Sequence, residues 1–256
     1  MKYVLILACT FALVGCNRAK EELPAKPAAP PEYFEIDPAT AAKLSGTIRF
    51  AGTKPPAKVI SMDAEEACEK LHDGPVRAVS VVTGKNEGLA DVFVYVKSGL
   101  EGKAFEPPKQ TVVLDQRGCM FTPRVVALHT GQTLAVKNSD PVSHNVHPMP
   151  QNSREWNQQQ SPGAPDLMRR FVRPEVMIPV KCNVHSWMRS YIGVMDHPYF
   201  AVTGNTGEFG WMALPPGEYT VSAWHETLGE LTETIRLDAN ADGKLHFTFR
   251  LPRTGD

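Results

Sequence analysis

The stretch Lys181-Cys182-Asn183-Val184-His185-Ser186-Trp187-Met188 carries three different metal-binding side chains on one short segment of a 256-residue chain. A second stretch, Ser143-His144-Asn145-Val146-His147, lies upstream and adds imidazole groups. Short β-rich runs surround both stretches, and the run 176–180 leads directly into the cysteine, so a strand is expected to enter the loop. The sequence therefore predicts donors held by a rigid β scaffold.

The donor types have a specific inorganic meaning. One thiolate and two imidazoles in a plane, with a weak and distant thioether on the axis, form the ligand set of a blue-copper electron-transfer centre. Thiolate and thioether suit Cu(I), whereas imidazoles also suit Cu(II). We therefore predict one mononuclear type 1 copper site formed by His144, Cys182, His185 and Met188. His147 is an alternative to His144, because both lie in the same short stretch.

Residues 110–197 resemble a whole small cupredoxin of the plastocyanin and amicyanin group, and the Cys-x-x-His-x-x-Met spacing is closest to the amicyanin type. The resemblance implies a Greek-key β-sandwich with a role in electron transfer. It also implies that the amide of Asn145 hydrogen-bonds the Cys182 sulfur and tunes the potential. The electron is expected to leave through an exposed edge of His185.

The flanking segments predict a second sandwich. Gly46-Thr47-Ile48 in the first flank and Leu214-Pro215-Pro216-Gly217-Glu218-Tyr219 in the second resemble the carboxypeptidase regulatory-like, transthyretin-like β-sandwich. The expected fold class is therefore all-β, with a discontinuous sandwich from residues 44–108 plus 198–253 and the cupredoxin domain, residues 109–197, inserted between its halves. Two sequential domains, or an enlarged cupredoxin with a C-terminal module, are the alternatives.

The N-terminal sequence predicts export and a lipid anchor. Residues 1–16 have a short positive start, an apolar run and Leu13-Val14-Gly15-Cys16, which is typical of a lipoprotein signal peptide. The apolar run is shorter than the about 20 residues that a membrane-spanning helix needs. Residues 17–43 are rich in proline and alanine and predict an extended tether. Cys16 is the expected lipidation site, on a bacterial membrane and facing the periplasm or the exterior.

Two cysteines then need a role. Cys9 lies in the predicted signal, Cys16 takes lipid and Cys182 takes copper, which leaves Cys68 and Cys119. In an oxidising compartment such a pair predicts a disulfide. A second metal site formed by Cys68 and Cys119 with His72 is the alternative.

Composition and motifs exclude several other functions. The chain has 27 basic and 28 acidic residues, which argues against a nucleic-acid partner. Extra histidine clusters of the kind that form catalytic copper centres, haem motifs and nucleophilic triads are not found in the sequence, so we do not expect an enzyme. The main hypothesis is a tethered carrier of single electrons between redox proteins; copper delivery without redox turnover and surface adhesion are the alternatives.

Overall fold

The computed structural model describes residues 32–63 and 65–251 of the chain. Cys16, the predicted signal and the first part of the predicted tether lie outside these residues. The described part confirms the all-β fold class, with one α-helix of four residues, α1 (Glu66–Glu69), and a 3₁₀ turn at Lys85–Glu87. The strands are β1 (Ala42–Phe50), β2 (Lys58–Val59), β3 (Arg77–Ala78), β4 (Phe93–Ser98), β5 (Val112–Gln116), β6 (Phe121–Thr122), β7 (Val125–His129), β8 (Leu134–Asn138), β9 (His144–Pro148), β10 (Gln158–Gln160), β11 (Leu167–Arg169), β12 (Glu175–Lys181), β13 (Arg189–Met195), β14 (Phe200–Val202), β15 (Glu208–Leu214), β16 (Gly217–His225), β17 (Gly229–Leu237) and β18 (Asp242–Phe249).

The central part of the chain forms two sheets, here called the inner sheets. One has the strand order β10-β9-β12-β13-β7 and the other β11-β8-β5-β6. Apolar side chains of both sheets share one core cluster, in which Leu114, Leu128, Ile178 and Ile192 are fully buried. Burying each side chain of this size stabilises the fold by about 1.5–3 kcal/mol. The core therefore fixes the strand ends from which the candidate ligands project.

The flanks form two further sheets, here called the outer sheets, with the orders β15-β1-β18 and β14-β4-β16-β17. Strands β1 and β4 precede the inner sheets in the chain, and all the others follow them. In β1, alternate residues from Ala42 to Phe50 are buried, so one face of the strand packs on the outer core. Strand β1 pairs antiparallel with β15 and parallel with β18.

Inner and outer sheets contact each other through a third cluster. Phe93 and Tyr95 of β4 pack with Val125, Met177 and Met195 of the inner sheets, and all five side chains are buried. The chain from Glu32 onwards forms one compact unit. The predicted boundaries at residues 44–108, 109–197 and 198–253, and the transthyretin-like assignment, stay predictions.

Residues 58–63 and 65–78, here called the cap, lie between β1 and the 3₁₀ turn in the chain and pack against the inner core. The cap consists of β2 and β3, which pair with each other, and of α1 between them. A helix of one turn is not stable alone. Met62 and Cys68 belong to the inner core cluster, so packing holds the cap on the inner sheets.

Among the described residues, no helix is long and apolar enough to cross a membrane.

Candidate metal centre

Three neighbouring strands position the predicted donors. Strand β9 begins with His144, while β12 ends at Lys181 and β13 begins at Arg189. Strand β12 lies between the other two and pairs with both, with Lys181 opposite His147 on one side and opposite Arg189 on the other. The loop 182–188 therefore leaves the sheet next to the start of β9.

Three of the four predicted ligands converge. Nδ1 of His144 lies 2.9 Å from Nδ1 of His185, and Sγ of Cys182 lies 3.7 Å from the same His185 nitrogen. One donor atom from each residue lies within 4.8 Å of the others, and all three residues are buried. Since a metal ion binds nitrogen at about 2.0 Å and sulfur at about 2.3 Å, one ion can reach all three.

Met188 closes the loop that carries Cys182 and His185. Its carbonyl accepts the backbone N–H of Cys182 at 3.2 Å, and its own N–H donates to the His185 carbonyl at 3.0 Å. The Met188 side chain is fully buried in the same core cluster as Cys182. Backbone hydrogen bonds and core packing thus fix the loop.

The environment of Cys182 favours a thiolate. Backbone N–H groups of Asn145 and His185 each donate to its Sγ at 3.5 Å. Burial tends to raise the pKa of the Cys182 thiol, but hydrogen bonds from His144 and from backbone N–H groups outweigh burial, so the pKa is lowered. A thiolate is the form in which cysteine binds a metal.

Asn145 links β9 to the ligand loop through its side chain as well. Its Oδ1 accepts the backbone N–H of Asn183, and its Nδ2 donates to Oδ1 of Asn157. The hydrogen bond to the Cys182 sulfur comes from the backbone N–H. The Asn145 side chain instead holds the loop against β9.

Asp140 orients His144. The Nε2–H of His144 donates to Oδ2 of Asp140 at 2.8 Å, which turns Nδ1 toward Cys182 and His185. Burial tends to lower the pKa of His144, but hydrogen bonds with Cys182 and Asp140 outweigh burial and raise the pKa. In the neutral tautomer that keeps its proton on Nε2, Nδ1 has a lone pair that can bind a metal in place of the proton shared with Cys182.

His147 lies apart from this cluster. It is three residues from His144 in β9, and side chains of a strand alternate between faces. Its Nδ1 hydrogen-bonds Oδ1 of Asn183 at 3.2 Å, and its Nε2 contacts the carboxylate of Glu155. The structure therefore places His144 beside Cys182 and His185, and His147 toward the loop surface.

The expectation of an exposed edge on His185 is wrong, because His185 is only 2% exposed. The cap covers the ring: its Nε2 lies 3.7 Å from Sγ of Cys68 and 3.9 Å from Oε2 of Glu65. The indole of Trp187 packs against the imidazole, with ring centroids 5.1 Å apart. Burial and the nearby charge of His144 lower the pKa of His185.

Cys68 and Cys119 form a disulfide with an S–S distance of 1.99 Å. It joins α1 of the cap to the turn before β6. Asp140 holds this turn as well, because its carboxylate accepts the backbone N–H groups of Gly118 at 2.6 Å and Cys119 at 2.8 Å. His72 does not reach the disulfide as a ligand; its Nε2–H donates to the Gly118 carbonyl at 2.8 Å.

Sequence reasoning missed Asp140 and Glu65. Asp140 stands four residues before His144 in the turn that precedes β9, and no spacing rule marks it as a partner of that histidine. Glu65 belongs to the cap, which is far from His185 along the chain. The fold of the turn before β9 shows the first relationship, and the packing of the cap on the ligand loop shows the second.

No family model matches the chain, and no curated protein matches it. Among solved structures, the chain is similar to a copper-containing nitrite reductase from Thermus scotoductus SA-01, at 20% identity and a TM-score of 0.32, over 38% of this chain and 24% of that one. It is also similar to a reduced amicyanin variant, at 16% identity and a TM-score of 0.30, over 40% of this chain and 97% of that one. A purple cupredoxin from Nitrosopumilus maritimus matches at 16% identity and a TM-score of 0.28, over 34% of this chain and 99% of that one.

These structural neighbours are cupredoxins or contain copper, and each matches 40% of this chain or less. The chain spans about a quarter of the nitrite reductase. The TM-scores are low, so the likeness carries no argument about function.

Proposed function

We propose that this protein carries single electrons at one mononuclear type 1 copper site. The observation that supports the proposal is the convergence of one donor atom each from His144, Cys182 and His185 within 4.8 Å of one another. A buried thiolate with two imidazoles, and a thioether buried in the same core cluster, fits copper better than hard cations, which prefer oxygen ligands. Copper would supply the reversible change between Cu(I) and Cu(II).

Each residue of the proposed site has a physical task. His144, Cys182, His185 and Met188 are the residues that would hold copper. The N–H groups of Asn145 and His185 stabilise negative charge on Cys182, and Asp140 holds the tautomer of His144. Because the loop is closed by backbone hydrogen bonds and the site is buried, little is free to rearrange when the charge changes.

The buried His185 changes where a redox partner is expected. The ligand loop reaches solvent at Val184, which is 60% exposed and two residues from Cys182. We propose that the partner contacts the loop there, and that the protein acts as a carrier rather than an enzyme. We propose that both the electron donor and the electron acceptor are redox proteins.

We also propose that the carrier is attached to a bacterial membrane through lipid on Cys16, facing the periplasm or the exterior. The support is the sequence Leu13-Val14-Gly15-Cys16 and the proline-rich segment after it. Metabolic labelling with a palmitate analogue tests the anchor. We expect incorporation that is lost in Cys16→Ser, and labelling that persists in that variant would contradict it.

The visible spectrum tests the copper site. Purified protein loaded with Cu(II) is expected to show an intense thiolate-to-copper band at roughly 600 nm, which Cys182→Ser abolishes. Ser186→Ala, an exposed change in the same loop, is the matched control and should keep the band. A colourless protein that binds Cu(I) tightly would favour copper delivery instead. A protein that binds no copper would leave the adhesion hypothesis.

A further inference from the structure

His185 faces polar atoms on both sides of its ring. Its Nδ1 lies beside His144 and Cys182, while its Nε2 lies 3.7 Å from Sγ of Cys68 and 3.9 Å from Oε2 of Glu65. A disulfide sulfur is a weak acceptor, and the carboxylate oxygen is beyond hydrogen-bond distance. Among the described residues, this buried nitrogen therefore has no strong partner, which is costly unless the position has a use.

The sulfur atoms beside this nitrogen are buried as well. Cys68 and Cys119 are both 0% exposed, and their Sγ atoms lie within 4.8 Å of each other and of a ring nitrogen of His185. In the disulfide, neither sulfur is a thiolate, which is the form in which cysteine binds a metal. As thiolates, the two sulfurs and the imidazole would form a three-donor set of the kind that binds Cu(I).

We propose that reduction of the Cys68–Cys119 disulfide opens a second soft-metal site, in which both thiolates and Nε2 of His185 bind Cu(I). A dithiol reductant supplies two electrons and two protons, so the S–S bond becomes two thiols while the dithiol forms its own disulfide. Cu(I) then replaces the two thiol protons, which are released to water, and its oxidation state does not change.

Contacts other than the disulfide hold Cys119 in place. The N–H of Cys119 donates to Asp140 at 2.8 Å, and the carbonyl of Cys119 accepts Nε1–H of Trp187 at 3.0 Å. Opening the bridge therefore leaves Cys119 beside His185, and only Cys68 relies on the packing of the cap.

The two sites share His185, and this makes them competitors. A neutral imidazole has one nitrogen lone pair available in the ring plane, so it binds one cation at a time. With the disulfide intact, the lone pair is on Nδ1 and binds a cation together with Cys182. With the disulfide reduced, the lone pair can be on Nε2 and bind a cation together with Cys68 and Cys119. The redox state of the disulfide therefore selects which of the two sites His185 belongs to.

Competition for Cu(I) tests this site in the full chain that carries Cys182→Ser, which removes the thiolate of the first site. The disulfide is reduced with tris(2-carboxyethyl)phosphine, which becomes its oxide, in denaturant followed by refolding if needed. Alkylation and mass spectrometry verify that both thiols are free, and circular dichroism verifies the fold. After anaerobic removal of the phosphine, Cu(I) is titrated against bathocuproine disulfonate. There are two controls. The first is an oxidised sample of the same variant, and the second is a reduced sample that also carries Cys68→Ser and Cys119→Ser. Cys9 and Cys16 are present in all three samples.

We expect the reduced Cys182→Ser protein to bind one additional Cu(I) at least about 100-fold more tightly than either control, because both lack two soft ligands. Adding His185→Ala should weaken this binding at least about tenfold. Equal affinity in the oxidised and reduced samples, or a gain that persists without Cys68 and Cys119, would overturn the proposal. A gain in Cu(I) affinity that His185→Ala leaves unchanged would overturn the proposal that His185 is a ligand of the second site.

The result is independent of the proposed electron carrier. A missing band at roughly 600 nm would contradict the copper site at Cys182. The Cu(I) titration does not depend on that site, because Cys182 has been replaced in the protein that is titrated.

Discussion

Asp140 and His144 are joined by a 2.8 Å hydrogen bond in which the imidazole donates, and the same carboxylate accepts the backbone N–H groups of Gly118 and Cys119. One buried side chain thus orients a candidate ligand and holds the turn that carries half of the disulfide. The candidate copper centre and the cap are therefore coupled through Asp140.

Asp140→Asn tests this coupling. An amide has one oxygen and one NH₂ group, so it cannot accept all three hydrogen bonds, and His144 loses its orientation. We expect Cu(II) affinity to fall by about 10–100-fold, as is usual when a partner of a metal-binding histidine is removed. Competition with a chelator measures the affinity. Asp166→Asn, at an exposed position, is the control, and equal affinities in the two variants would contradict the orienting role.

His144→Ala and His147→Ala should differ sharply. His144 lies in the cluster with Cys182 and His185, whereas His147 contacts Asn183 and Glu155. We expect His144→Ala to lose the type 1 band and the narrow copper splitting in electron paramagnetic resonance. His147→Ala should keep both. The reverse result would make His147 the ligand.

A charge at Val184 should slow electron exchange between two copies of the protein. Two exposed loops must approach closely for self-exchange, and Val184→Asp places like charges between them. We expect a rate at least about tenfold lower at low salt, with partial recovery at high salt. Line broadening in nuclear magnetic resonance of mixed-valence samples measures it. Val172→Asp, at a residue that is 75% exposed outside the ligand loop, is the matched control, and equal effects of both changes would exclude Val184 as the contact.

Gly193 allows the outer sheets to approach the inner ones. A Cβ added at Gly193 would lie 2.5 Å from the ring of Phe93, which is fully buried. We expect Gly193→Ala to lower the free energy of unfolding by about 1–3 kcal/mol through overpacking. Urea denaturation measures the change. Gly204→Ala is the control, because no heavy atom lies within 4 Å of its added Cβ, and it should cost less than Gly193→Ala.

His225 should make stability depend on pH. Burial lowers its pKa to about 4, and its Nδ1 accepts the N–H groups of Thr227 at 3.2 Å and Leu228 at 3.3 Å. Because the unfolded chain binds a proton near the usual histidine pKa and the folded chain does not, stability is complete above about pH 6.5 and falls as pH decreases toward 4. The loss from this group is at most about 3 kcal/mol.

His225→Asn isolates this effect, because its Oδ1 can accept the same N–H groups and does not titrate. Urea unfolding at pH 7.5 and pH 4.5 should show a smaller difference for His225→Asn than for the native protein. His246→Asn, on the exposed side of β18, is the control. An unchanged pH dependence in His225→Asn would contradict a role for the buried imidazole.

Local patterns in the sequence were sufficient for the fold class, and they also single out the candidate ligand loop. Alternating residues predict strands, and the donors Cys182, His185 and Met188 lie close enough in sequence to be read together. The alternation of side chains along a strand also places His144 on the same face of β9 as Val146, and both residues are buried.

Those local patterns could not predict contacts between segments that are far apart in the sequence. The cap contains one helical turn without a clear apolar period, so nothing in its sequence shows that it covers His185. Asp140 is similar: its three N–H partners come from two parts of the chain that only the fold brings together. The buried edge of His185 was therefore mispredicted from a resemblance to smaller proteins.

Strand β1 has a mechanical consequence for a tethered protein. It is the middle strand of its sheet, and it pairs with β15 from Ala42 to Thr47 and with β18 from Lys43 to Phe50. A pull on the chain before Ala42 acts along this strand and loads its hydrogen bonds in shear, so they resist together instead of opening one after another. The fold thus places a strand whose hydrogen bonds are loaded in shear at the end that the proposed lipid would hold.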